Sequence, residues 1–189
     1  MARVNNNIIT QGLSGTLGGT LVFRQVGGKT IVATAPRESE KAPSVKQLAQ
    51  QERFQMAALY AKTQLQNPSS KAEYEAGRPA DSTASAYAIA VADFMQAPDI
   101  RQIDLSNYTG KKGDTIQVRV TDDFLVSSVR VRIENGDGSL VEEGPATITA
   151  NGLDWSYTAT AANASLDGDK ITITATDKPG NATVDHKTF

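Results

Sequence analysis

The strongest constraint on this chain lies in residues 114–189, where apolar and polar side chains alternate along short runs. In DTIQVRVTD, Ile116, Val118 and Val120 alternate with Gln117, Arg119 and Thr121; in SSVRVRIEN, Val129, Val131 and Ile133 alternate with Ser128, Arg130 and Arg132. A strand sends successive side chains to opposite faces, so each run has a core face and a wet face, as half-buried antiparallel strands do. Asn135-Gly136-Asp137-Gly138 tolerates positive φ and predicts a tight turn into Leu140–Glu143. Further strands are predicted at Ala146–Thr149, Trp155–Thr160, Lys170–Thr176 and Thr183–Lys187, separated by Asn151-Gly152, Asp167-Gly168 and Pro179-Gly180-Asn181. Evenly spaced short strands of this kind predict two packed antiparallel sheets, with Trp155 and Tyr157 between them.

About seven strands suit an immunoglobulin-like sandwich. The run ITATDKPGN (Ile173–Asn181), following the strand WSYTAT, also resembles the end of bacterial immunoglobulin-like modules. That resemblance implies a fold and a binding or spacer role; it implies no catalytic residues.

Upstream, Met1–Asn7 reads as a polar arm, and Gly12, Gly15, Gly18 and Gly19 form a glycine ladder leading into TLVFRQV-GG-KTIVATA. Gly27-Gly28 between two β-prone runs predicts a two-residue hairpin loop. Such a loop fixes the register, placing Val26 opposite Lys29, Arg24 opposite Ile31 and Phe23 opposite Val32. One face then carries Leu21, Phe23 and Val32, the other Val22, Ile31 and Ala33. Gly28-Lys29-Thr30 ends like a phosphate-binding loop, but Phe23 stands where that motif requires glycine and a strand follows instead of a helix.

Pro36–Pro43 reads as a charged linker. Ser44 with Gln47 forms a capping box for a helix reaching Gln66. Its apolar residues fall in two stripes, Val45, Leu48, Ala49, Met56, Leu59 and Tyr60 on one side and Phe54, Ala58, Ala61 and Leu65 on the other. A surface helix needs one stripe, so two predict burial between layers or against another subunit. A short helix is predicted at Ser69–Ala76, and a third, capped by Asp81 or Ser82, runs to Gln96. Ile100–Leu105 is expected as an edge strand of the sandwich. The expected fold class is α+β: residues 1–36 an arm and β-hairpin, 37–98 helical, and 99–189 an immunoglobulin-like antiparallel β-sandwich. The series VFRQVGGKTIV, QLAQQERFQMAALYAK and AYAIAVADFMQAPDI ahead of such a sandwich resembles a group of Bacteroidota-type proteins, which brings no activity with it.

The chain has 189 residues, a net charge of −2, no cysteine and one histidine. The basic residues are scattered, which argues against a nucleic-acid footprint. The absence of cysteine excludes disulfides and thiolate chemistry. His186, read as an exposed strand residue, leaves no serine triad and no histidine-based metal site. No apolar run approaches a membrane span and no signal-peptide pattern opens the chain, so synthesis in the cytoplasm, with release by lysis or a specialised route, is the expectation. Asp122-Asp123 and Glu142-Glu143 are adjacent pairs, read as solvated. Asp122, Asp123 and Asp177, which approach one pole of the sandwich, are the calcium candidates, with Asp167 and Asp169 in a separate loop. No cofactor is expected.

These readings predict a non-enzymatic subunit that assembles with itself into a filament, tube or phage-like particle. Leu21, Val22, Phe23, Val26, Ile31, Val32, Phe54 and Leu65 form the expected interface, with the sandwich displayed outside. A binding or adhesion module recognising a glycan or protein is the alternative.

Overall fold

A computed structural model describes residues 2–4, 10, 12–36, 42–79 and 82–189. The chain divides into two compact units, Met1–Ala49 and Gln50–Phe189.

The first unit is a four-stranded antiparallel sheet of β1 (Ala2–Val4), β2 (Gly15–Leu17), β3 (Leu21–Val26) and β4 (Lys29–Thr34), in the order β1-β4-β3-β2. Gly27 and Gly28 sit at φ 55° and 74°, the double positive-φ geometry that matches a hairpin turn to strand twist. The register is the predicted one: Val26 faces Lys29, Arg24 faces Ile31 and Phe23 faces Val32. Part of the expected arm is a strand instead, since Ala2, Arg3 and Val4 pair with Val32, Ile31 and Thr30. The glycine ladder builds a second hairpin, with Gly18 and Gly19 at positive φ between β2 and β3. Along residues 12–36 only Phe23 and Thr30 are buried. The Thr30 hydroxyl accepts from the Gly12 amide at 3.2 Å and from Gln25 Nε2 at 2.8 Å.

Helix α1 (Val45–Gln66) opens on the predicted capping box: the Ser44 amide donates to Gln47 Oε1 at 2.8 Å and the Gln47 amide to Ser44 Oγ at 3.3 Å. Helix α2 (Pro68–Ala76) follows at once, with Asn67 as its N-cap and Pro68 in the first turn. Asn67-Pro68 therefore starts a helix as well as ending one, because proline needs no amide partner there. Helix α3 (Ala86–Met95) is capped by Ser85, whose hydroxyl accepts from the Ala88 amide. It begins later than predicted: Ser82 instead accepts from the Ala84 amide, and Asp81, like 37–41 of the linker, lies outside the described residues.

Within the second unit, two four-stranded antiparallel sheets face each other. One comprises β5 (Asp99–Asp104), β6 (Thr115–Thr121), β10 (Asp154–Thr158) and β9 (Thr147–Ile148), in that order. The other comprises β12 (Ala182–Thr188), β11 (Lys170–Asp177), β7 (Val126–Glu134) and β8 (Leu140–Pro145). The alternation sets the core. Val129, Val131 and Ile133 lie directly opposite Ala175, Ile173 and Ile171, all fully buried. In the facing sheet Trp155 pairs with Val118 and Tyr157 with Ile116, and both aromatics join the same cluster. Each fully buried isoleucine or valine contributes roughly 1.5–3 kcal/mol over exposure. Val131 is flanked by Arg130 and Arg132, which turn outward to Glu143 at 3.1–3.2 Å.

The helices pack against this sandwich through a second, smaller cluster of Ala61, Tyr74 and Ala90, which takes in Phe124 from the β6–β7 turn. The Phe124 ring stacks on Tyr74 at 4.4 Å between centroids.

Candidate functional site

The β6–β7 turn, the end of β11 and helix α3 converge at one pole of the sandwich, and each brings a carboxylate. Oxygens of Asp93, Asp122 and Asp177 lie within 4.8 Å of one another. Asp93 comes from α3, Asp122 follows β6, and Asp177 ends β11 at an irregularity in the pairing with β7.

Asp177 is held by its own turn. Its Oδ1 accepts from the Gly180 and Asn181 amides at 2.8 and 2.6 Å, and its Oδ2 from Asn181 Nδ2 at 2.7 Å. The same Asn181 amide group reaches back to the carbonyls of Phe94 and Gln96 at 3.2 and 3.0 Å. It satisfies acceptors that the end of α3 leaves open. Asp122 Oδ2 accepts from the Leu125 amide at 3.1 Å. Asp93 Oδ2 accepts from the Tyr74 hydroxyl at 2.5 Å, and Tyr74 in turn meets the Tyr60 hydroxyl at 2.9 Å.

Asp93 is only 1 % exposed. Burial pushes its carboxyl up to about 6; the Tyr74 hydrogen bond opposes that rise, and the charges of Asp122 and Asp177 add to it. Asp122 is raised as well, chiefly by burial. Lys178 offers a positive charge to this region, but it is ion-paired with Glu73 at 2.5 Å and lies 4.5 Å from the Tyr74 ring centroid. Two clefts reach the site: one of about 280 Å³ is lined by Asp93, Asp123 and Phe124. The other, of about 490 Å³, is lined by Asp99, Arg101, Asp122 and Asp123.

Of the three calcium candidates, Asp122 and Asp177 meet, whereas Asp123 is exposed and stands outside the cluster. Successive residues leave a strand end in different directions, so only one of the adjacent pair turns inward. Its place is taken by Asp93, the single charged residue in AYAIAVADFM. Asp169 is buried elsewhere, bound by Asn163 Nδ2 at 2.5 Å, and Asp167 is exposed. The Glu142-Glu143 pair is not uniformly solvated. Glu142 turns inward, and its Oε2 accepts from the Thr160 amide and hydroxyl at 2.8 and 2.7 Å and from the Ala161 amide at 3.2 Å. His186 is an exposed residue of β12.

The residues expected at a subunit interface are spread in exposure. Leu21, Val26 and Phe54 are exposed, Val22, Ile31, Val32 and Leu65 are half-buried, and Phe23 is buried within its own sheet. Both stripes of α1 remain largely uncovered: Val45, Leu48, Phe54, Met56 and Leu59 are exposed, and the buried positions are Ala57 and Ala61. Among the described residues, no layer buries the helix as a whole.

No family model matches the chain, and no curated protein matches it. Among solved structures, CopC from Methylosinus trichosporium OB3b is similar over 47% of this chain and 87% of its own, at 13% identity and a TM-score of 0.35. An engineered protein matches over 48% of this chain and 19% of its own, at 23% identity and a TM-score of 0.33. A tetra-tandem repeat from the extending region of a large adhesion protein matches over 48% and 22%, at 22% identity and a TM-score of 0.32. The match thus spans about a fifth of each of the two last chains. Likenesses this slight carry no function to the present chain.

Proposed function

We propose that the chain is a non-enzymatic structural subunit that assembles with copies of itself through its N-terminal sheet and first helix. The observation that carries this reading is the state of strands β2, β3 and β4: along residues 15–34 only Phe23 and Thr30 are buried, while Leu17, Leu21 and Val26 are exposed. A sheet with so little covered apolar surface is marginal in water. Among the described residues, strands β1 and β2 are the edges of the sheet, which a neighbouring copy could extend by strand addition. The exposed Phe54, Met56 and Leu59 of α1 are further apolar surface that a neighbouring copy would cover. A single histidine and no cysteine favour a structural role over a catalytic one.

The test is negative-stain electron microscopy with light scattering on the full-length protein, followed by deletion of residues 1–36. Regular multi-subunit particles that the deletion abolishes are the expected result. Particles that persist after the deletion, or a 20.1 kDa monomer at every concentration, would sink the assembly reading.

A second reading, an immunoglobulin-like binding module, is favoured by the strand order. The orders β5-β6-β10-β9 and β12-β11-β7-β8 correspond to A-B-E-D and G-F-C-C′ of an immunoglobulin-type sandwich. A monomer that binds cells or polysaccharide would favour this role over assembly.

A further inference from the structure

We propose that Asp93, Asp122 and Asp177 form a divalent-cation site, built for calcium, that fastens helix α3 to the pole of the sandwich. An acidic cluster alone would not carry this, since carboxylates gather at turns for ordinary reasons. What carries it is a pair of orphaned oxygens. Asp93 is 1 % exposed, and its Oδ1 is buried with no hydrogen-bond partner. Asp122 Oδ1, from a different element, is buried and unpartnered too. A buried charged acceptor left without a donor is costly, and two such acceptors in one group of three carboxylates are more so. The remaining oxygens of the trio are fixed by Tyr74, Leu125, Gly180 and Asn181, so the ligands are oriented before any ion arrives.

The chemistry selects the ion. All three donors are carboxylate oxygens, which suit hard cations. Oxygens bound to one calcium at about 2.3–2.6 Å stand at most about 5 Å apart, and the observed spread is within 4.8 Å. Magnesium demands near-ideal octahedral geometry and gives up its waters reluctantly, which three carboxylates preset on three separate elements do not favour. The flanking clefts supply an entry path and room for water to complete the coordination. Lys178 does not neutralise the site on its own, because Glu73 shares its charge. The inference is independent of the assembly reading.

The experiment uses the full-length protein stripped with EDTA and then titrated with calcium chloride or magnesium chloride, following thermal unfolding. Terbium emission excited through tyrosine is measured in parallel, since the Tyr74 hydroxyl is 2.5 Å from Asp93. Calcium is expected to raise the midpoint more than magnesium does and to displace terbium. Asp93→Asn is expected to weaken calcium by about tenfold or more, because affinity follows the count of charged ligands, while Asp167→Asn, exposed in a separate loop, leaves it unchanged. Should Asp93→Asn fail to fold, Asp122→Asn takes its place, as that residue is only half-buried. A wild-type protein indifferent to millimolar calcium and silent with terbium would overturn the proposal. Unaltered affinity in the Asp93 or Asp122 variant would overturn it equally.

Discussion

The Tyr74 hydroxyl donates to Asp93 Oδ2 across 2.5 Å, joining α2 to α3 directly beneath the ring of Phe124. Burial and both of its hydrogen-bonded neighbours raise the Tyr74 pKa, so the group stays a donor throughout the accessible pH range. Tyr74→Phe leaves the apolar stack in place but removes that donor. The expected loss is about 1–3 kcal/mol, the cost of stranding a buried acceptor, read by urea denaturation. A change within experimental error would mean that the hydroxyl pair with Tyr60 and Asp93 contributes nothing to stability.

Asn181 ties two elements together with one amide group. Asn181→Ala removes its bonds to Asp177, Phe94 and Gln96 and should cost about 1–3 kcal/mol. It should also accelerate hydrogen exchange in the last turn of α3 ahead of the sandwich strands. Uniform acceleration across the second unit would argue that the helix does not open by itself.

Glu142 predicts an acid limb in stability. Burial alone would raise its carboxyl, but hydrogen bonds from Thr160 and Ala161 outweigh burial, and the folded value lies below the ordinary 4.5. The unfolded chain therefore takes the proton more readily, so the stabilisation is complete above about pH 4.5. It fades as pH falls through the depressed folded value. Stability of Glu142→Gln should be lower at neutral pH and flatter between neutrality and acid than that of the wild type, as measured by thermal midpoints across that range.

Gly110 and Gly113 make a matched pair for mutation. Both have positive φ, 87° and 96°. A Cβ on Gly110 would stand 2.6 Å from the Asn163 carbonyl oxygen, whereas one on Gly113 meets nothing within 4 Å. Gly113→Ala carries the backbone strain alone, about 1 kcal/mol, and Gly110→Ala should cost at least about 2 kcal/mol more, through a backbone clash. Equal midpoints for the two variants would contradict the packing of the 159–163 segment against this turn.

Strands β6, β7, β10 and β11 were legible because one face of each is buried and one is less so, a pattern that a period-two reading detects from sequence alone. Val129, Val131 and Ile133 illustrate it, as does the Gly27-Gly28 loop, whose length dictated every pairing of β3 with β4. Asp93 was not legible in the same way. Its meaning depends on a contact 84 residues downstream with Asp177, and helical periodicity ranks faces by apolar content, which a lone carboxylate scarcely alters. One signal was nonetheless present: a single charge in the ten residues of α3. Glu142 was misread for a different reason. Adjacent residues of a strand point to opposite faces, so of Glu142 and Glu143 one had to turn inward, and pairing with Thr160 becomes visible only once the fold brings 18 residues together.

Strands β5 and β12, the outer strands of the two sheets, lie alongside each other in the same direction. Thr183 Oγ1 donates to the Pro98 carbonyl, and Lys187 Nζ, further along both, donates to the Ile103 carbonyl. A pull applied at Asp99 and Thr188 would therefore act lengthwise on both strands. Ladder bonds loaded in that direction share the strain, the seven register pairs of β12 with β11 among them, in place of parting one after another as a zipper does. As a mechanical element the sandwich would resist as a stiff link, giving way abruptly and late.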